Sequence, residues 1–234
     1  MQPPAHTSKD FDAELQRIRA MVGEMGNMAG EQIRFAMDAL QQGDAGLVDR
    51  VLEGEVKINR FERQIDEACT NVIARRAPAA GDLRFLITIY KTITDLERVG
   101  DEAKKIALAA HGLRFHDGIG PDLPEIKLIS TVVIDMLRRA LDALARVEAQ
   151  EVPDVVRQDE EVDDYFRAVL RQLLTYMIED PRTISTALDL IVAAKALERI
   201  GDHAKNISEY VVYMVKGKDV RHVSIEEIEA AAKE

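Results

Sequence analysis

Apolar positions recur every three or four residues along most of the chain. In the first segment Phe11, Leu15, Ile18, Val22, Met25, Ala29, Ile33, Ala36 and Leu40 keep that spacing, which is the period of an amphipathic helix. The pattern predicts a helix over residues 10–42, after a loose leader over 1–9. Gly43-Asp44 interrupts it, and Asp44 suits the cap of the next helix. That second helix, residues 45–76, is expected to bury Leu47, Val51, Ile58, Phe61, Ile65 and Val72. A polar stripe of Glu55, Asn59, Glu62 and Asp66 runs beside them on one face. Pro78-Ala79-Ala80-Gly81 turns the chain into a third helix over residues 80–113. From His111 to Pro124 the chain carries Gly112, Gly118, Gly120, Pro121 and Pro124, the best domain boundary it has.

The plan then repeats. A fourth helix is expected over residues 124–149, burying Ile126, Ile129, Val133, Met136, Leu137 and Leu144. Pro153 suits the first turn of a fifth, over 153–179. Asp180-Pro181 reads as a cap followed by proline at the first helical position, opening a sixth over 181–216. Gly217-Lys218-Asp219 ends it. Ser224-Ile225-Glu226-Glu227 is a capping-box pattern for a short terminal helix. The expectation is an all-α fold: two tandem pseudo-symmetric three-helix bundles of six long helices, plus a short C-terminal helix. The two units are expected over residues 1–117 and 118–234. Short connections make neighbouring helices antiparallel. The narrow apolar stripes leave a third face on each unit that suits packing against the other.

The repeat is also visible in the residues. Leu96-Glu97-Arg98-Val99-Gly100-Asp101 returns as Leu197-Glu198-Arg199-Ile200-Gly201-Asp202, an offset of 101 residues. An internal repeat decides the architecture before any other feature does. Leu96, Gly100, Ala103 and Ala107 share one helix face, as do Leu197, Gly201, Ala204 and Ser208. Small residues there let a neighbouring helix come close. Glycine within a helix costs about 1 kcal/mol relative to alanine, so its recurrence suggests a packing reason. Glu97 and Asp101 flank this face one turn apart, and Glu198 and Asp202 repeat them. Like charges at that spacing destabilise a helix by about 0.2–0.5 kcal/mol, so basic side chains or a bound cation should compensate.

Composition narrows the functional classes. The net charge of −11 argues against nucleic acid and against anionic lipid. It suits cations or basic partners. The single cysteine, Cys69, excludes an internal disulfide and sits in an apolar stripe, where a buried reduced thiol is expected. The first residues lack the apolar core of a signal peptide. No run approaches the roughly 18–20 apolar residues of a membrane helix. Both point to the cytoplasm.

The simplest reading of each acidic pair is a solvated face with local ion pairs, Asp101 to Lys105 and Asp202 to Lys205. The repetition favours something more. Aligning the halves sets Glu55 against Asp159 and Asn59 against Asp163, so each third helix would face oxygen donors four apart on a second helix. Four oxygen donors on two facing helices can hold hard cations. Enzyme motifs are weak by comparison. Di-iron bundles use Glu-x-x-His, and none of the five histidines has a Glu three residues before it. His203 points away from Asp202 and suits packing or hydrogen bonding. Gly217-Lys218 lacks a phosphate loop around it, and Gly118-x-Gly120 is linker. No Ser/His/Asp or Cys/His set stands out. Met21, Met25 and Met28 read as core.

These residues closely resemble the PhoU family of phosphate-specific transport system accessory proteins. The likeness runs from Phe11 to about Ser224. It is carried by Thr94 to Asp101, by Leu197 to Ile207, by Pro78 with Asp82-Leu83-Arg84, and by the tail from Val215 to His222. The resemblance implies two bundles related by a pseudo-twofold axis. It implies a cytoplasmic regulator, commonly dimeric, that restrains the phosphate-starvation response. The implied partners are the ATPase subunit of the phosphate ABC transporter and the sensor histidine kinase. The family's E(D)xxxD motif falls on Glu97/Asp101 and Glu198/Asp202, and some members carry iron or zinc clusters there. Zinc, iron, magnesium and manganese are the metals considered. Asn59 departs from the family's frequent Asp and leaves the first site one charge poorer. A carboxylate-bridged metal enzyme on a helical bundle is the alternative. It would need an enclosed pocket with an open coordination position, which a signalling adaptor does not.

Overall fold

The computed structural model describes residues 9–113 and 124–233. Nearly all of the expected leader and the centre of the expected domain boundary lie outside the described residues. Seven α-helices follow in order: α1 (Lys9–Gln42), α2 (Ala45–Arg76), α3 (Ala80–Gly112), α4 (Pro124–Arg146), α5 (Val152–Glu179), α6 (Ile184–Lys216) and α7 (Ile225–Lys233). No strand occurs among the described residues. The fold is the expected all-α one, with six long helices and a short terminal one.

Local chemistry sets the helix ends. The Asp44 carboxylate accepts from the Gly46 N–H at 2.8 Å and starts α2. Ala77, at a φ of 45°, closes it in the left-handed region, and Gly217 does the same for α6. Ser224 and Glu227 exchange backbone-to-side-chain hydrogen bonds at 3.2 and 3.4 Å, the expected capping box of α7. Arg157 on α5 pairs with Glu229 and holds α7 down.

Two ends differ from expectation by more than one residue. The fourth helix stops at Arg146, not at residue 149. Val147 takes a left-handed φ of 59°, and the Glu148 N–H reaches back to the Ala143 carbonyl at 3.1 Å. This closure uses no glycine, so nothing in the sequence marks it. The sixth helix starts at Ile184, not at residue 181. Asp180 caps a single 3₁₀ turn, Pro181–Thr183. Thr183 Oγ1 donates to the carbonyls of Asp180 and Tyr176 at 2.7 and 3.1 Å, which fixes the turn.

α1, α2 and α3 pack on one another, and so do α4, α5 and α6. α3 also lies along α6, and α1 touches α4. The buried apolar side chains therefore join in one cluster across both halves. Each fully buried Leu, Ile or Val contributes about 1.5–3 kcal/mol by leaving water. Leu47 and Phe61, expected in the core, are only half-buried at its margin. The small-residue faces are buried as expected. A Cβ on Gly100 would stand 3.1 Å from Ile58 Cδ1. Cys69 is buried and free, and burial pushes its thiol up to about 12.

The α3–α6 seam is not purely apolar. Buried Asp95 faces buried His203 at 2.8 Å from Oδ1 to Nδ1. Asn206 Nδ2 lies 3.5 Å from the same oxygen, and Arg199 reaches buried Glu102 at 3.3 Å. His203 is thus a hydrogen-bonding residue between the two halves.

Candidate functional site: two acidic helix faces

The first face is the outer groove between α2 and α3. α2 presents Glu55 and Asn59 one turn apart, and α3 presents Glu97 and Asp101. Asn59 Nδ2 donates to Glu55 Oε1 at 2.9 Å. Lys104, on α3, crosses to that same carboxylate at 3.4 Å. Burial draws the Glu97 carboxyl above its ordinary range, and the neighbouring charges of Asp101, Glu62 and Glu55 add to the shift. Glu62 is raised too, by burial and then by Asp66. The four expected residues therefore gather on one face, with Glu62 as a fifth member.

The second face is the corresponding groove between α5 and α6. Lys205, on α6, crosses to Asp159 on α5 at 2.8 Å. Lys195 holds Glu198 at 2.5 Å, and Arg167 holds Asp163 at 3.5 Å. Asp202 is largely exposed. Its carboxyl is nevertheless drawn upward, first by partial burial and then by Asp159 and Glu198. Asp159 is raised by burial against the pull of Lys205. Asp159, Glu198 and Asp202 form one group, and Asp163 stands at its edge.

The cross-helix bridges of Lys104 and Lys205 are what the sequence reading missed. Each follows its motif aspartate by three residues: Asp101 to Lys104, Asp202 to Lys205. Each spans to the neighbouring helix and neutralises the aligned residue, Glu55 or Asp159. The local pairs expected within α3 and α6 do not form. Lys105 turns to Glu102 at 2.8 Å, and Lys205 leaves Asp202 for Asp159. The signal available in the sequence was the repetition of the lysine with its motif.

The donor set is oxygen only, which is the chemistry of a hard cation. One oxygen per face is buried without a hydrogen-bond partner, Asn59 Oδ1 on the first and Glu198 Oε2 on the second. Both are free to accept a cation or a further donor. No three acidic, histidine or cysteine side chains among the described residues converge to ligating range. The cleft between α1 and α2, of about 380 Å³ and lined by Glu14, Arg17, Gln64 and Glu67 among others, contains none of the eight expected residues.

Fold and site together define a helical protein built on a duplicated acidic motif, with a lysine bridge on each face. The PhoU domain model matches residues 22–110 and again 126–211. A Pseudomonas putida protein named phosphate-specific transport system accessory protein PhoU homolog is 46% identical over 226 residues, 96% of this chain and 88% of that one. The Escherichia coli protein named phosphate-specific transport system accessory protein PhoU is 42% identical over 224 residues, 96% of this chain and 92% of its own. The crystal structure of PhoU from Pseudomonas aeruginosa superposes with a TM-score of 0.85 at 45% identity, covering 89% of this chain and 100% of that one. The chain belongs to the PhoU family.

Proposed function

We propose that this chain is a non-enzymatic cytoplasmic regulator of phosphate uptake that holds the phosphate-starvation response off. It acts by binding the ATPase subunit of the phosphate ABC transporter and the cytoplasmic part of the phosphate sensor histidine kinase, and it works as a homodimer. The observation that carries this reading is identity of 42–46% over nearly the full length to proteins named as accessories of phosphate-specific transport. None of the described helices is long and apolar enough to cross a membrane, so membrane association would come through the partners. A protein without turnover works by preferring one conformation of its partner, and its effect is limited by that difference in affinity.

We further propose that the two faces take up divalent or iron-type cations, namely zinc, iron, magnesium or manganese. Glu55, Asn59, Glu97 and Asp101 are the donors on one face, and Asp159, Asp163, Glu198 and Asp202 on the other. Bound, the ion would take over the neutralising role of Lys104 and Lys205. The unpartnered oxygens and the raised carboxyls of Glu97, Asp159 and Asp202 support this. The test of the main reading is direct binding of the purified full chain to the immobilised transporter ATPase and to the kinase's cytoplasmic region. Saturable binding to at least one is expected. Binding to neither contradicts the reading, and a turnover abolished by removing Glu97, Asp101, Glu198 and Asp202 would favour a metal enzyme instead.

A further inference from the structure

The two halves meet along a second seam, where α1 touches α4. At one level the seam is tight: a Cβ on Gly26 would stand 2.5 Å from Leu141 Cδ1. One turn earlier on α1 it opens, and nothing lies within 4 Å of a Cβ on Gly23. The opening is a cavity of about 330 Å³, lined by Arg19, Gly23, Phe85, Ile89, Leu141 and Leu144 among others. α1 and α3 of the first half and α4 of the second all contribute, so whatever fills it joins the halves.

Arg19 and Gln16 are the polar side chains of the lining. The Arg19 guanidinium lies over the Phe85 ring, 4.6 Å from its centroid. It makes no ion pair with any described residue, and its Nε is buried without a hydrogen-bond partner. A buried donor left unpaired is costly, and most of all a charged one. The site occurs once, because the repeat has Thr186 where Phe85 stands. The ends of the chain's own helices keep a natural filler away. Residues 1–8 hold no Asp or Glu to meet Arg19. The segment between α3 and α4 starts about 35 Å beyond Ile89 and ends about 25 Å before Leu141, at 1.5 Å per helical residue. That round trip exceeds the roughly 40 Å that eleven extended residues span.

We propose that this cavity binds a small organic anion with an apolar body, of the class of alkyl carboxylates and alkyl phosphates. The anionic head accepts from the Arg19 Nε–H. The hydrocarbon lies against Phe85, Ile89, Leu141 and Leu144. The volume is at the lower end for a small-molecule site, and apolar walls with one convergent charge are the usual form of one. Bare inorganic phosphate would leave those walls uncovered. Bound, the ligand ties α1 and α3 to α4. The site uses none of the eight residues of the acidic faces and is independent of the regulator reading.

The test is displacement of the fluorescent anion anilinonaphthalene sulfonate from the purified full chain, with octanoate below its micelle-forming concentration as competitor. Saturable displacement by octanoate and by octyl phosphate is expected, and at least tenfold weaker displacement by octylamine and by inorganic phosphate. Octanoate should also raise the melting temperature. Arg19→Met keeps the stem on Phe85 and removes the guanidinium; it should weaken octanoate at least fivefold. Gly23→Met places a side chain in the open space and should abolish binding; if that variant does not fold, Arg19→Met decides. Arg171→Met, at an exposed position on α5, should change nothing. No displacement by octanoate, equal displacement by octylamine, or wild-type affinity in Arg19→Met overturns the proposal. Two further outcomes overturn it by naming another occupant. Pelleting with anionic lipid vesicles that Gly23→Met abolishes would place the alkyl anion in a membrane. A wild-type oligomer that Gly23→Met dissociates in sedimentation would assign the cavity to a second copy of the chain.

Discussion

Glu209 is an acidic residue whose environment changes its chemistry near neutral pH. It is buried on α6, and its carboxyl is pushed up to about 7, chiefly by burial, with Lys205 and Arg221 opposing and Asp159 assisting. The folded state therefore keeps a proton that the unfolded chain releases near 4.5. Stability from this group is full below about pH 4.5 and declines as pH rises toward 7. Glu209→Gln should leave stability at pH 4 unchanged and raise it at pH 8 by up to about 3 kcal/mol. Thermal unfolding at the two values checks this, and an equal effect at both contradicts it. Two glycines give a contrast in packing. A Cβ on Gly54 would stand 1.8 Å from Gln32 Nε2, while nothing lies within 4 Å of one on Gly30. Overpacking costs about 1–3 kcal/mol, against about 1 kcal/mol gained in helix propensity. Gly54→Ala should lower the denaturation midpoint, and Gly30→Ala should raise it.

Among the elements, α3 and α6 join the halves, and Asp95–His203 is the buried polar pair between them. Replacing His203 alone leaves Asp95 with the longer Asn206 contact in place of its 2.8 Å partner. His203→Leu should cost about 3–5 kcal/mol if it strands the Asp95 carboxylate. Adding Asp95→Leu should recover at least half of that, since an apolar pair can replace a buried polar one. Urea unfolding of the three variants measures it, and a double variant as unstable as the single one contradicts the account. This seam was only partly legible in the sequence. The small faces around Gly100 and Gly201 declared themselves by period and repetition. Asp95 and His203 are 108 residues apart, and no local pattern announces such a pair. The ends of α4 and α6 hid for a related reason. Val147 adopts a glycine's conformation without being glycine, and Thr183 Oγ1 anchors a turn through carbonyls that sequence does not mark.

For the molecule as a whole, helix number, order and duplication were readable because the apolar period runs almost unbroken and the acidic motif recurs. The placement of the eight expected acidic and amide residues on two helix faces was readable for the same reason, through their spacing. The lysine bridges were not, since local pairing three or four residues along the helix is the nearer expectation and only packing sends Lys104 and Lys205 across. If these lysines hold the place of a cation, zinc or manganese at about 100 times its dissociation constant should add about 2.7 kcal/mol of stability. The rise in melting temperature should be lost from the second face in Glu198→Ala/Asp202→Ala, and it should grow in Lys205→Met, where the competitor is gone. No rise in wild type, with no metal retained by protein purified without an affinity tag, would leave the faces as lysine-neutralised surfaces only. The central claim concerns binding that controls a response. Its most direct test is the transcription of phosphate-starvation genes in phosphate-rich medium after deletion of this gene. The account predicts that they switch on, that the wild-type chain silences them again, and that a folded chain with Glu97, Asp101, Glu198 and Asp202 replaced by alanine silences them less. Starvation genes that stay silent in the deletion strain would contradict it.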